Sequence, residues 1–174
     1  MKNIIHKLSE SVANQIAAGE VVQRPSSIIK ELLENSIDAS SKNIKVIIEE
    51  GGKNKIMVID DGSGMSKDDA VKCFEKHSTS KLKKSDDLFK IKTMGFRGEA
   101  LSSIASVCQV ELSTQMENND IGSKVIIEGS KIKETSEISK NRGTTIIIKN
   151  IFYNIPARRS FLKSDAVELK HIID

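Results

Sequence analysis

The chain has 174 residues, enough for one domain with a real core, and its 38% hydrophobic and 29% charged content argues against disorder. Aromatic residues make up 3%, with no Trp and one Tyr, which argues against a platform that stacks single-stranded bases. The net charge of +3 is too small to indicate a nucleic-acid partner by itself.

The first twenty residues hold no apolar run of signal-peptide length, and no later stretch approaches a membrane span. A cytoplasmic location without a membrane partner is the expectation. Periodicity predicts a helix over residues 26–39, started by Pro25, Ser26 and Ser27, with Ile28, Ile29, Leu32, Leu33 and Ile37 on its apolar arc. Residues 44–50 and 55–59 read as strands of a hairpin turning over residues 51–54. A helix over residues 66–75 packs through Ala70, Val71 and Phe74. Residues 77–98 are polar, Lys-rich and flanked by glycine, so they read mostly as loop with a short helical piece at 86–91. Residues 99–107 are helical in pattern, with Ala100, Leu101, Ile104 and Val107 on one face. Strands follow at 109–114, 123–128, 132–135 and 144–149. Helices followed by an antiparallel meander point to an α/β sandwich and away from alternating βαβ units. The sequence ends inside a helical pattern with no stop signal, so we expect residues 1–174 to be one domain of a longer protein.

The familiar nucleotide signatures are missing: there is no GxxxxGK[ST] loop and no GxGxxG between a strand and a helix. Three other stretches can carry chemistry. On the helix at 26–39, Glu31, Asn35 and Asp38 fall within about 60° of each other, roughly opposite the apolar arc. Glu31 can accept a proton from an attacking water, and Asn35 can offer a neutral oxygen to Mg²⁺. The same spacing also fits the wet side of an amphipathic helix. In Ile56–Met57–Val58–Ile59–Asp60–Asp61–Gly62–Ser63–Gly64, an aliphatic strand delivers Asp60 to a turn containing Gly62 and Gly64. A carboxylate there can accept from the exocyclic amine of adenine, although an ordinary Asp-Gly turn reads the same way. In Gly95–Phe96–Arg97–Gly98–Glu99–Ala100–Leu101, glycines precede a helix whose free N–H groups can face an anion, as can those of any loop-to-helix transition. Thr79, Ser80 and Lys81 offer hydroxyls and an ammonium to phosphate oxygens, and Thr144 opens a strand where it can share the base edge with Asp60.

No His has a second His or Cys at ligand spacing, so zinc is not expected, and Cys73 and Cys108 read as reduced core residues. The basic groups Lys81, Lys83, Lys84 and Arg158, Arg159, Lys163 fit a solvated face as well as a nucleic-acid contact.

The order and wording of these stretches closely resemble the MutL family. Ile16–Ala17–Ala18–Gly19–Glu20–Val21–Val22, Arg24–Pro25, Lys30–Glu31–Leu32, Glu34–Asn35–Ser36 and Asp38–Ala39 match its first motif, and Asp60–Asp61–Gly62–Ser63–Gly64 its second. His77–Ser78–Thr79–Ser80–Lys81 is similar to its switch segment, Gly95 to Leu101 to its third motif, and Phe152–Tyr153–Asn154–Ile155–Pro156–Ala157–Arg158–Arg159 to the signature after its fourth. The resemblance implies the GHKL (Bergerat-type) ATPase fold, a two-layer α/β sandwich with a mixed, mostly antiparallel sheet and helices on one face. It implies ATP and Mg²⁺ as cofactors, Glu31 as general base, Asn35 as Mg²⁺ ligand, and Asp60 and Thr144 as adenine contacts. Asp38, Gly62 and Gly64 join the nucleotide site. Gly95, Phe96, Arg97, Gly98, Glu99, Ala100 and Leu101 form a lid over the phosphates, beside Thr79, Ser80 and Lys81.

Further implications are a bacterial source, DNA mismatch repair, and nucleotide-dependent homodimerisation through amino-terminal contacts. The partners implied are mismatch-recognition and other repair proteins, together with DNA bound non-specifically and salt-sensitively. A second domain carrying a phosphate-contacting lysine and a distant dimerisation domain are expected outside this chain, so hydrolysis by the chain alone should be weak. Two departures stand out: Asp61 replaces the family's usual Asn, and Ser40 its usual Gly. The extra carboxylate raises the question of altered metal or water binding. The alternatives are a topoisomerase subunit or sensor kinase of the same fold, or a non-catalytic DNA-binding module that keeps an ATPase shell.

Overall fold

The computed structural model describes residues 4–81, 93–95 and 98–174. Its elements are α1 (Glu10–Val21), α2 (Pro25–Asp38), β1 (Ile44–Glu49), β2 (Lys55–Asp60), α3 (Lys67–Lys72), α4 (Ala100–Val107), β3 (Gln109–Gln115), β4 (Gly122–Glu128), β5 (Lys131–Ile138), β6 (Gly143–Lys149), α5 (Pro156–Ser160) and α6 (Asp165–Ile173). The helical piece expected at 86–91 lies outside the described residues.

One six-stranded sheet runs in the order β1-β2-β6-β3-β4-β5, and every described ladder is antiparallel. Side chains alternate across each strand, so one face gathers Ile56 and Val58, Ile146 and Ile148, Val110 and Leu112, and Val125 and Ile127 in register. All eight are buried, and Ile28, Ile29 and Leu32 of α2 with Ile104 and Val107 of α4 complete the same core. Each Ile or Leu so buried contributes roughly 1.5–3 kcal/mol. The opposite face is only partly covered, which gives the expected two-layer sandwich with its helices on one face.

Register also builds the site. Asp60 at the end of β2 pairs with Thr144 at the start of β6, which pairs with Thr114 near the end of β3. Three polar residues thus cap one end of an aliphatic sheet beneath α2.

Several expectations need correction. On α2 the apolar arc is rotated: Ile37 is 51% exposed, whereas Ser36 is 3% exposed. The polar residue takes the inner position because its hydroxyl donates to the buried Asp60 at 2.9 Å. Glu31, Asn35 and Asp38 therefore flank the buried arc; they do not stand opposite it. Helix α3 stops at Lys72 and not at 75, because Phe74 and Glu75 donate to Val71 and Lys72 in tighter, three-residue turns. Strand β5 is twice the expected length, a polar edge strand whose Lys and Glu residues hide its apolar alternation. Helices α1 and α5 are additional to the elements expected from the sequence. Apart from Ala18, α1 buries no residue fully and leaves Val12 and Ile16 exposed, so it carries no strong apolar stripe. Turn and helix interlock at the far end: Gly51, at φ +62°, lies so close to the Asp165 backbone that an added Cβ would sit 2.7 Å from its carbonyl oxygen.

Cys73 and Cys108 are free thiols; Cys108 is buried in the core as expected, whereas Cys73 is half-buried against it and borders the cleft, and burial pushes both up to about 12. Among the described residues no helix is long and apolar enough to cross a membrane.

Candidate functional site

A cleft of about 690 Å³ opens between α2, the polar end of the sheet and the start of α4. Of the residues singled out above, Glu31, Asn35 and Asp38 line it from α2, and Asp60 and Thr144 from the sheet. Gly64, Thr79, Ser80 and Lys81 contribute from loops. Gly95 lines it beside Asp38 of α2, and Gly98 lines another part of the rim with Glu99, Ala100 and Leu101 at the start of α4. Gly62 stands just behind this wall, hydrogen-bonded to Asp60. Phe96 and Arg97 lie outside the described residues.

Asp60 is the floor. Its Oδ2 accepts from the Ser36 hydroxyl at 2.9 Å, and its Oδ1 accepts from the Gly62 N–H at 2.9 Å and the Thr144 N–H at 3.2 Å. Three donors thus fix a residue that is 9% exposed, and among the described residues Oδ2 accepts no second hydrogen bond. The Thr144 hydroxyl meets the Thr114 hydroxyl at 3.0 Å, and Thr114 also accepts from the Met65 N–H at 3.0 Å. The roles of Ser36 and Thr114 in the site are additional to those expected from the sequence. For Ser36 a signal existed: it stands four residues after Leu32, on the inward arc, where a hydroxyl needs a partner.

The upper wall carries charge. Lys81 Nζ donates to Asp38 Oδ2 at 2.5 Å and to Asn35 Oδ1 at 3.2 Å. Asp38 also accepts from the Met94 N–H at 3.0 Å and the Gly95 N–H at 3.2 Å. Burial works to raise the Asp38 carboxyl, but the Lys81 hydrogen bond and those two N–H groups outweigh it and hold the group below its ordinary value. Asp38 therefore ties residues 94 and 95 to α2. Glu31 is less committed: Lys30 lies 2.9 Å from Glu34 but 3.8 Å from Glu31.

The rim segments are packed backbone to backbone. Gly98, at φ +62°, would place a Cβ 2.7 Å from the Ser78 carbonyl oxygen, and His77 Nδ1 lies 3.1 Å from Glu99 Oε1. Helix α4 has no side-chain cap hydrogen bond from Glu99, and its first turn lines the cleft.

The site fits a divalent cation in one respect. Asn35 Oδ1 and Asp38 Oδ2 already share one positive group, the Lys81 ammonium. Among the described residues no three His, Cys, Asp or Glu side chains converge on one metal position. A Mg²⁺ ion here would need oxygens from a phosphate ligand, the usual arrangement for this ion.

Asp61 points away from this chemistry. It accepts from the Lys42 N–H at 2.7 Å, the Asn43 N–H at 2.9 Å and the Asn43 amide at 2.8 Å. The Asn43 N–H foremost, then the Asn43 amide and the Lys42 N–H, hold its carboxyl at about 2. The extra carboxylate pins the connection between α2 and β1. The carboxy-terminal basic group is also partly used in packing, with the Arg158 guanidinium 5.4 Å above the Phe152 ring and pressed against Gly19.

Residues 23–153 match the model of the histidine kinase-, DNA gyrase B- and HSP90-like ATPases. The chain is 58% identical over its whole length to the DNA mismatch repair protein MutL of Christiangramia forsetii, and 57% identical over 99% of its length to that of Bacteroides fragilis. It spans 28% of the length of each. Among solved structures, the N-terminal domain of a DNA repair protein is similar at a TM-score of 0.77 and 28% identity, covering 92% of this chain and 46% of that one. The Aquifex aeolicus MutL ATPase domain complexed with ADP is similar at 0.68 and 28% identity, covering 88% of this chain and 53% of that one. The chain thus belongs to the histidine kinase-, DNA gyrase B- and HSP90-like ATPase family, and within it to the part that resembles the ATPase domain of the MutL proteins.

Proposed function

We propose that this chain binds ATP with Mg²⁺ and hydrolyses it, as the motor of a DNA mismatch-repair protein. The observation that carries the reading is Asp60: a nearly buried carboxylate that lines the cleft, fixed by three donors among the described residues, with acceptor capacity left on Oδ2. That geometry suits the amine of adenine. Thr144 stands beside it to hold the same base edge.

The rest of the cleft suits a triphosphate. Asn35, with Asp38 next to it, would hold Mg²⁺, which when bound offsets phosphate charge. Glu31 takes the proton of the attacking water. Lys81, Thr79 and Ser80 contact phosphate oxygens, and the N–H groups at the start of α4 face the same anion. Gly95, Phe96, Arg97 and Gly98 form the lid with Glu99, Ala100 and Leu101, ordered by the nucleotide.

In the longer protein, lid closure drives amino-terminal dimerisation and couples mismatch recognition to downstream repair proteins. DNA is contacted through basic side chains in a non-specific, salt-sensitive way. The chain alone hydrolyses weakly, because charge stabilisation of the transferred phosphoryl group is incomplete without a lysine from a following domain.

Thermal unfolding with and without Mg²⁺ and a non-hydrolysable ATP analogue tests the reading. A saturating analogue should raise the midpoint of the wild-type chain and leave that of Asp60→Ala unmoved. No shift in the wild type overturns the proposal.

A further inference from the structure

The Asp60–Gly64 turn is held from outside by a residue that does not line the nucleotide cleft. Arg142 precedes β6 and reaches across the strand end: its Nε donates to the Gly62 carbonyl oxygen at 3.0 Å, and its Nη1 pairs with Glu117 at 2.7 Å. Glu117 follows β3, so one guanidinium bridges the β2 turn and the β3 end. The next two residues continue the grip. An added Cβ on Gly143 would lie 2.0 Å from the Asp60 carbonyl oxygen, and the Thr144 N–H donates to the Asp60 carboxylate. The turn is soft by composition, with Gly64 at φ +68° and Gly62 free of a side chain. Apart from the Gly62 donation to Asp60, the turn is tethered near its start by the Asp61 N–H to the Asn43 carbonyl at 3.4 Å and by the Asp61 carboxylate to Lys42 and Asn43, and beyond Gly62 by the Ser63 N–H to the Ala39 carbonyl at 3.0 Å.

We propose that Arg142 is a positioning residue for base selection: by holding the Gly62 carbonyl, whose peptide is also held through the Ser63 N–H, it restrains the rotation about Gly62 that would carry the neighbouring Gly62 N–H off Asp60, and so sets how strictly the site prefers adenine. This rests on the nucleotide reading given above. The ion pair itself is exposed, with Arg142 at 43% and Glu117 at 70%, so it contributes little to folding. Its value is orientation. Without it the glycine turn explores more conformations, Asp60 loses a fixed donor, and the acceptor site that reads the amine blurs.

The test uses the 174-residue chain and titrates ATP and GTP, each with Mg²⁺, into wild type, Arg142→Ala, Arg142→Lys and Glu117→Gln. For Arg142→Ala, ATP affinity should fall about tenfold, the scale of one lost charge-assisted hydrogen bond, with GTP affinity nearly unchanged. The ATP-to-GTP preference therefore narrows. Arg142→Lys, which keeps one donor, should restore part of that preference, and Glu117→Gln should lose about two- to threefold, the size of an exposed pair. Equal losses for ATP and GTP would overturn the proposal, since they would mark a general charge or folding effect. So would an unchanged preference in both Arg142→Ala and Arg142→Lys. If Arg142→Ala does not fold, Arg142→Lys and Glu117→Gln decide by the same ratio. A wild-type chain that binds neither nucleotide removes the nucleotide reading itself, a result distinct from any pattern among the variants.

Discussion

Lys81 Nζ lies 2.5 Å from Asp38 Oδ2, so the lip of the cleft is closed by an ion pair whose side chains are 18% and 7% exposed. Two charges at that depth depend on each other. Removing the ammonium leaves the carboxylate, among the described residues, with the Met94 and Gly95 N–H groups. Lys81→Met should destabilise the chain, and Asp38→Asn in the same background should recover part of the loss. A double-mutant cycle by urea unfolding should give a coupling of about 1–3 kcal/mol. Additive losses would mean that the pair does not act as a unit.

Ser36→Ala probes the floor. The hydroxyl is 3% exposed and donates to an Asp60 carboxylate that is 9% exposed, so its removal leaves a buried acceptor short of a partner. The expected cost is about 1–3 kcal/mol in urea unfolding, with weaker ATP binding as Asp60 gains freedom. A stability loss with ATP affinity intact would show that the Gly62 and Thr144 N–H groups suffice to align the carboxylate.

These two sites mark what the sequence could and could not convey. Strand positions and the helices carrying Glu31 and Leu101 were legible because alternation and the 3.6-residue period report burial directly. The cleft residues were legible only as separate weak signals, and the motif order joined them. What was not legible depends on long-range contact. The Ser36 bond to Asp60 spans 24 residues, and the Arg142 bond to Gly62 spans 80. No local pattern reports either. Ile37 was misplaced for the same reason: an apolar residue gave way on the inner arc to a hydroxyl whose partner lies on another element. Helix α1, which packs on α4, leaves no amphipathic trace, because its one fully buried residue is Ala18 while Val12 and Ile16 stay exposed.

Glu31→Gln separates binding from chemistry. Lys30 is drawn to Glu34 at 2.9 Å, which leaves Glu31 an available acceptor at the cleft wall. As the group that accepts the proton of the attacking water, it should be needed for turnover and not for affinity. Phosphate release should fall about 10²–10⁴-fold, with affinity for a non-hydrolysable ATP analogue within about twofold of wild type. Measured in the longer protein, where turnover is expected to be faster, retained hydrolysis would remove Glu31 from the base role.

Asp61→Asn tests whether the unusual carboxylate acts only through the fold. Three donors from Lys42 and Asn43 favour its ionised form in the folded chain, so its carboxyl lies at about 2 against an ordinary 3.8. A group lowered in this way stabilises the fold above the ordinary value, and that contribution disappears as pH falls through the lowered one. The variant cannot ionise. It should therefore be less stable than wild type near neutral pH, and the gap should close as pH falls from about 4 to about 2. Asp38 is shifted in the same direction, so the variant keeps part of the acid limb. Thermal midpoints measured across that range check the outcome: a gap independent of pH would assign the loss to altered packing and not to charge. Because Asp61 faces the α2–β1 connection, nucleotide affinity should stay within about twofold of wild type, less than the tenfold that one effective hydrogen bond to a charged group commands. A larger drop would place the carboxylate in the cleft's chemistry after all.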